Sequence, residues 1–175
     1  MRETSFPSST GVCDLHVCTW PCKAPRAALL IVHGMSEHIL RYDEFARFLG
    51  GHGILVAGMD NASHGRSRRE GAPKGYFGPE NGWEYLIEDI HSLRRLVEEE
   101  NPGLPLLMMG HSMGSFLARA YAARQGAGIR AFIFMGTAGP NRALAIGKGL
   151  AERAIRQGRG MLPGHNLEKL STGSY

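Results

Sequence analysis

The chain has 175 residues, of which 43% are hydrophobic and 21% charged, and its formal net charge is +4. This length suits one domain with a sizeable core, and the composition is ordinary for a soluble globular protein. The sequence lacks any run of about 18 apolar residues and opens without the pattern of a signal peptide. Membrane-spanning and secreted classes are therefore not expected, and we predict a cytoplasmic location.

Three cysteines, Cys13, Cys18 and Cys22, lie close together near the N-terminus. Their odd number, without a secretory signal, argues against a disulfide framework. A metal site would need a fourth ligand, and His16 is the one candidate nearby. We therefore predict thiols at the start of a strand, with no metal and no other cofactor.

The charge is unevenly distributed along the sequence. Residues 1–112 carry 11 Lys and Arg against 14 Asp and Glu, whereas residues 113–175 carry 9 against 2. A basic tail can bind nucleic acid or an anionic membrane. It can also reflect a missing acidic complement, which is the interpretation we favour, so nucleic acid is not an expected partner.

Apolar runs alternate with amphipathic stretches, which is typical of βαβ units and a parallel sheet. Residues 27–32 (AALLIV) and 54–59 form short apolar runs that predict buried strands. Between them, apolar residues at helical spacing from Tyr42 to Leu49 predict a helix that two glycines end. Asn81 is the candidate cap of the next helix. The remaining predicted elements are that helix to about residue 100, a strand at 106–109, a helix at 113–124, a strand at 129–135 and a weakly apolar, basic helix at 141–157.

The segment Gly110-His111-Ser112-Met113-Gly114 matches the G-x-S-x-G nucleophile elbow. It comes directly after a predicted strand and before a predicted helix, where a serine must adopt a strained backbone that exposes its hydroxyl. The two glycines are needed because side chains there would collide with neighbouring backbone. A capping serine at a glycine-rich helix start is the alternative, and the context argues against it. We predict Ser112 as the nucleophile.

A second candidate segment, His33-Gly34-Met35, follows the first predicted parallel strand. In nucleophile-elbow hydrolases, a backbone N–H from this loop and that of the residue after the nucleophile form the oxyanion hole. The predicted donors are Met35 and Met113. His33 could equally be a hydrogen-bonded histidine at a strand end, but its spacing from the elbow favours a supporting role.

These segments together resemble the monoacylglycerol lipase and lysophospholipase group of α/β-hydrolases, which is also described as serine aminopeptidase-like. The resemblance covers about residues 10–150 and rests on the elbow and on an H-G-x-x-E-H-x-x-R-Y motif (His33, Gly34, Glu37, His38, Arg41, Tyr42). It implies the α/β-hydrolase fold, with a mostly parallel, doubly wound sheet. It also implies that the substrate is a small apolar ester, a lysolipid or a monoacylglycerol. The family usually has D-x-x-G-H-G-x-S where this chain has Asp60 to Ser67, so Ser63 is a mild departure in a structural turn.

The triad partners that this family uses are not evident. In this fold the acid and then the histidine follow the serine along the chain. After Ser112 the carboxylates are Glu152 and Glu168 and the histidine is His165, and none follows an apolar strand run. We therefore expect a fold truncated after about the sixth strand, with residues 1–140 as part of the core and 141–175 as the start of a cap insertion. Such a chain should be inactive alone, and the strand at 129–135 should form an exposed edge.

Two other functions remain open at this point. A serine peptidase or iminopeptidase shares the same elbow, although the H-G-x-x-E-H motif favours esters. A non-catalytic domain could instead bind apolar ligands or a partner through its open edge. The basic helix at 141–157 could contact an anionic membrane, but Gly147 and Gly149 weaken it.

Overall fold

The structure is a computed structural model that describes residues 1–78, 80–139 and 142–158. The chain divides into two compact units, Met1–Thr137 and Ala138–Tyr175. The first unit contains the sheet and the candidate site. In the second unit the structure describes one helix, α4.

The first unit is a six-stranded mixed sheet with helices on both faces. Its strands lie in the order β1-β2-β4-β3-β5-β6. Strands β1 and β2 form an antiparallel hairpin, and β2 also pairs antiparallel with β4. The remaining pairs, β4 with β3, β3 with β5 and β5 with β6, are parallel. The elements of the whole chain are β1 (Arg2–Pro7), β2 (Asp14–Trp20), β3 (Ala27–Val32), α1 (Asp43–Gly51), β4 (Ile54–Met59), α2 (Gly82–Glu100), β5 (Leu106–His111), α3 (Met113–Gln125), β6 (Ile129–Met135) and α4 (Arg142–Arg156), with short 3₁₀ turns at Ile39–Tyr42 and Gly65–Ser67.

The core lies on both faces of the sheet because successive side chains of a strand point to opposite sides. On β3, Leu30 packs in the cluster that α2 and α3 cover, whereas Leu29 and Ile31 pack in the cluster on the α1 side. Burial of both faces explains why β3, β4 and β5 read as continuous apolar runs rather than as alternating ones. The predicted doubly wound, mostly parallel α/β architecture is confirmed.

The hairpin of β1 and β2 was not predicted from the sequence. The six residues of β1 are exposed or half-buried, so no apolar run marks them. Cys18 lies within β2 rather than at the start of a strand, and burial raises the pKa of its thiol to about 12. The expected position of the thiols was therefore wrong for Cys18.

The predicted cap of α2 is right in position and wrong in mechanism. Asn81 is the residue before the helix, but its side chain makes no capping hydrogen bond. Its backbone is instead left-handed, with φ 54° and ψ 22°. Asparagine tolerates this conformation better than most residues, so the tight entry into the helix explains its presence here.

In the part of the chain that the structure describes, strand β6 is an edge of the sheet and carries exposed apolar side chains. Ile133, Phe134 and Met135 are 44%, 40% and 46% exposed. An unpaired edge with such side chains is a template for pairing with another chain. This agrees with the expectation of an exposed apolar edge at residues 129–135.

We expect Ile133→Lys to reduce self-association of the purified chain, because a charge on an edge strand opposes pairing between edges. Since the side chain is largely exposed, the free energy of unfolding should change by no more than about 0.5 kcal/mol. Light scattering after size exclusion measures the association. Phe48→Lys is the matched control, because Phe48 is also exposed but lies on α1. An equal effect of both changes would show that the edge plays no special part.

Candidate active site

Ser112 lies between the end of β5 and the start of α3 in a strained conformation. Its φ is 51° and its ψ is −119°, which few residues other than glycine adopt. Three hydrogen bonds hold the residue: its N–H donates to the Met135 carbonyl at 2.9 Å, and its carbonyl accepts the Ser115 N–H at 2.9 Å and the Ser115 hydroxyl at 2.6 Å. The strain is thus maintained by the surrounding elements, as expected at a functional turn.

The two glycines of the elbow allow the close approach of α3 to the sheet. A Cβ atom on Gly114 would lie 2.6 Å from the carbonyl oxygen of His33. One on Gly110 would lie 2.6 Å from the carbonyl carbon of Gly114 and 2.8 Å from the Cβ atom of Ala118. All three distances are shorter than van der Waals contact, so the predicted need for glycine at these two positions is confirmed.

The loop after β3 lies directly against Ser112. A Cβ atom on Gly34 would stand 3.0 Å from the Cβ atom of Ser112 and 3.1 Å from the His111 carbonyl oxygen. Within the described part of the chain, the backbone N–H groups of Met35 and Met113 have no hydrogen-bond acceptor. Both donors are thus available, and their role as an oxyanion hole remains a prediction.

The side chain of His33 fixes the loop after β3 through two hydrogen bonds. It is fully buried, and burial lowers the pKa of its imidazole to about 4, so the ring is neutral near pH 7. Its Nε2 accepts the Asn61 N–H at 2.9 Å, and its Nδ1 therefore carries the proton and donates to the Gly34 carbonyl at 2.7 Å. The histidine acts as a fixed link between the loops after β3 and β4.

Glu37 is a site residue that the sequence indicated only as a letter of the family motif. It is 8% exposed, and its Oε1 atom accepts hydrogen bonds from the Gly34 N–H, from His111 Nδ1 at 2.8 Å and from the Tyr42 hydroxyl at 3.2 Å. Burial acts to raise the pKa of the carboxyl. The hydrogen bonds from His111 and Gly34 outweigh burial and lower this pKa below its ordinary value.

The loop from Asp60 to Ser67 is a structural turn, as expected. Asp60 is 1% exposed and accepts the N–H groups of Ile39 and Arg66, each at 2.7 Å. Ser63 has φ 60°, the left-handed conformation that explains the usual glycine of the family at this position. Its hydroxyl donates to the Tyr76 carbonyl at 2.6 Å.

The structure brings no acid–histidine pair to the nucleophile in the residues that it describes. The Ser112 hydroxyl has no hydrogen-bond partner among them, and His111 is bonded to Glu37 instead. Glu152 lies in α4, where its carboxylate is 3.8 Å from the Lys148 ammonium. His165 and Glu168 lie outside the described residues.

Residues 1–78, 80–139 and 142–158 show neither a metal-binding cluster nor a membrane-spanning helix. No three His, Cys, Asp or Glu side chains in these ranges are grouped to hold a metal ion. None of the helices in these ranges combines the length and apolar character needed to cross a bilayer.

Comparison with known proteins supports the resemblance seen in the sequence. Residues 23–162 match the Hydrolase_4 family, described as serine aminopeptidase, S33. A monoacylglycerol lipase of Mycolicibacterium smegmatis is 32% identical over 136 residues, which are 78% of this chain and 46% of that protein. The human monoglyceride lipase is 33% identical over 105 residues, or 60% of this chain and 33% of that protein. The chain thus spans less than half the length of these two relatives.

Solved structures agree on the fold. A thermostable carboxyl esterase from Bacillus coagulans, solved with glycerol, has a TM-score of 0.89 and 32% identity, covering 98% of this chain and 56% of that one. A lipase in its open form has a TM-score of 0.79 and 29% identity, covering 88% and 51%. The expected α/β-hydrolase architecture is confirmed.

Proposed function

Because the chain belongs to the Hydrolase_4 family of serine aminopeptidase-like S33 proteins, we propose that it carries the nucleophile half of a serine carboxylic ester hydrolase. The observation that carries the proposal is the strained backbone of Ser112, which lies at the end of β5 in contact with the loop of Gly34. A strained nucleophile between a parallel strand and a helix is the arrangement that this chemistry requires.

The proposed reaction begins with attack of the Ser112 oxygen on the carbonyl carbon of an ester. Negative charge then develops on the carbonyl oxygen, and the N–H groups of Met35 and Met113 are the donors that would stabilise it. The N-terminus of α3 favours the same charge. The base returns the serine proton to the departing alcohol, and water then hydrolyses the acyl-enzyme to release the carboxylic acid and free Ser112.

A general base must remove the proton of Ser112 as the bond forms. No described residue is hydrogen-bonded to that hydroxyl. We therefore propose that residues 1–140 are the N-terminal part of the hydrolase core and that residues 141–175 begin a cap insertion. The chain alone would then be inactive. Support comes from the relatives, which are more than twice as long as the segments that they share with this chain.

The proposed substrate is a monoacylglycerol, a lysolipid or a similar small apolar ester. The names of the relatives support the first of these, since a monoacylglycerol lipase and a monoglyceride lipase match this chain. Peripheral membrane contact through α4 is part of the proposal. That helix exposes Ile146, Leu150 and Ile155 and carries basic residues in its last turn.

The main alternative is a serine peptidase, which the description of the matched family favours. A non-catalytic domain that binds a partner through the apolar edge of β6 is the second alternative, favoured by the exposure of Phe134 and its neighbours. The first alternative differs from the proposal in the bond that is cleaved, an amide in place of an ester. The second differs because no bond is cleaved.

A chimaera tests the substrate class. The chain is joined to the part of the Bacillus coagulans esterase that it does not cover, which supplies the missing half of the site. We expect Ser112-dependent hydrolysis of a medium-chain monoacylglycerol, with lysophosphatidylcholine slower and proline p-nitroanilide not cleaved. Ser112→Ala is the control and should lower the rate by about 10⁴-fold or more. Cleavage of the anilide at a rate comparable with the ester would support the peptidase.

The same assay tests membrane contact when the monoacylglycerol is presented in neutral or in anionic vesicles. Contact of the basic helix should give the faster rate on anionic vesicles, and salt should remove the difference. Equal rates on both kinds of vesicle would contradict this part of the proposal.

A further inference from the structure

We infer that Glu37 is a positioning residue that fixes the loop of residues 33–37, here called the oxyanion loop, against the nucleophile strand. The catalytic meaning of this inference rests on the proposed function. In the structure, a single buried carboxylate oxygen of Glu37 joins the oxyanion loop to His111, the residue before Ser112.

The contacts of Glu37 connect three separate parts of the fold. Its Oε1 atom binds the Gly34 N–H of the oxyanion loop, His111 Nδ1 at the end of β5 and the Tyr42 hydroxyl of the 3₁₀ turn before α1. Its Oε2 atom lies 3.6 Å from Nε of Arg41. The bond to His111 spans 74 positions of the sequence, so Glu37 does more than close a local turn.

This arrangement also determines which N–H of the oxyanion loop is left for a ligand. The N–H of Gly34 is occupied by the carboxylate, whereas the N–H of Met35 has no acceptor among the described residues. Glu37 therefore removes one donor from the loop and presents the next. If the loop shifted by one residue, the N–H of Met35 would face the carboxylate, and the N–H of Gly34 would be the donor left beside Ser112.

The charge of Glu37 matters because hydrogen bonds to an ionised carboxylate are stronger than neutral ones. The groups that face it are Arg41, Tyr42, His111 and the more distant His33. Since the folded state depresses the pKa of Glu37, the stabilisation is fully present above the ordinary carboxyl pKa of 4.5 and is lost as the pH falls through the depressed value. The loop should therefore loosen in acid.

Selective isotope labelling tests the inference on the chain itself, without any need for activity. With ¹³C-carbonyl histidine and ¹⁵N-glycine, a carbonyl-filtered amide spectrum shows only glycines that follow histidine, namely Gly34, Gly53 and Gly65. In Glu37→Ala at neutral pH, we expect the Gly34 signal to move and its solvent exchange to become at least about ten times faster. Gly53 and Gly65 are the internal controls for the fold and should stay in place.

Two further variants separate positioning from general stability. Glu37→Gln keeps an oxygen acceptor but not the charge, so at neutral pH the Gly34 signal should remain close to its native position, with an exchange rate between those of the native chain and Glu37→Ala. Glu44→Ala removes an exposed carboxylate of α1 and should change nothing. A Gly34 signal that is unmoved in Glu37→Ala, or that moves equally in Glu44→Ala, would overturn the inference.

The outcome is independent of the proposed function. If the chimaera proves inactive on esters, the function fails while the Gly34 signal still reports whether Glu37 holds the loop. If the chimaera is active and the Gly34 signal is unchanged in Glu37→Ala, the inference about Glu37 is wrong while the proposed function stands. In an active chimaera, Glu37→Ala should lower kcat by about 100-fold with little change in KM, as loss of an oxyanion donor does.

Discussion

Purified chain of 175 residues is expected to react with a fluorophosphonate probe no faster than its Ser112→Ala variant. Such probes label serines whose proton is removed by a base as the bond forms. In the described residues the Ser112 hydroxyl has no hydrogen-bond partner, and the neighbouring His111 is bonded to Glu37. Under the proposed function, the described residues therefore expose the serine for attack but offer its hydroxyl no base.

The chimaera with the Bacillus coagulans esterase segment provides the positive control. It should be labelled at least about 10³-fold faster than the chain alone, because loss of the base costs several orders of magnitude in rate. Mass spectrometry of the labelled peptide identifies Ser112 as the site. Rapid labelling of Ser112 in the chain alone would contradict the proposal that the chain is inactive by itself.

Gly34→Val is expected to lower ester hydrolysis by the chimaera by about 10²- to 10³-fold, the loss seen when one oxyanion donor is removed. The branched side chain cannot fit, because even a Cβ atom would lie 3.0 Å from Cβ of Ser112 and 2.7 Å from Oε1 of Glu37. The loop must therefore move away from the nucleophile. Steady-state kinetics should show the loss chiefly in kcat.

Three controls accompany this change. Gly51→Val introduces the same side chain at the end of α1, where a Cβ atom would meet nothing within 4 Å, and should leave the rate almost unchanged. Met35→Ala and Met113→Ala should each keep activity within about threefold, because these residues are proposed to act through the backbone. If Met35→Ala lost as much activity as Gly34→Val, the assignment of a backbone donor would be wrong.

The sequence was sufficient for those parts of the fold that local patterns encode. Strands β3, β4 and β5 are short apolar runs because the sheet is covered on both faces there, and the glycines of the elbow report a close approach that only glycine permits. The contact between the loops of Gly34 and Ser112 was expected from the arrangement of nucleophile-elbow hydrolases. In the structure it arises because both loops follow parallel neighbouring strands, β3 and β5.

Other features depend on contacts that no local pattern contains. Strand β1 is stabilised by pairing with β2 and has no buried face of its own. The role of Glu37 requires that His111, which lies 74 positions away, meets the same oxygen atom as Gly34. The link from His33 to Asn61 joins loops after two adjacent strands in the same way. Sequence spacing could suggest that such residues are near each other, but not which atom each one binds.

The position of β6 affects how persistently the backbone of Ser112 stays in its strained conformation. The N–H of Ser112 donates to the carbonyl of Met135, the last residue of that edge strand. Edge strands with an unpaired side fray more readily than central ones, so each opening of β6 releases one of the bonds that hold the strained serine. Hydrogen exchange at the Ser112 amide therefore reports the equilibrium between the closed and the open edge. Any element that pairs with β6 should slow this exchange and increase the fraction of time that Ser112 spends in its strained conformation.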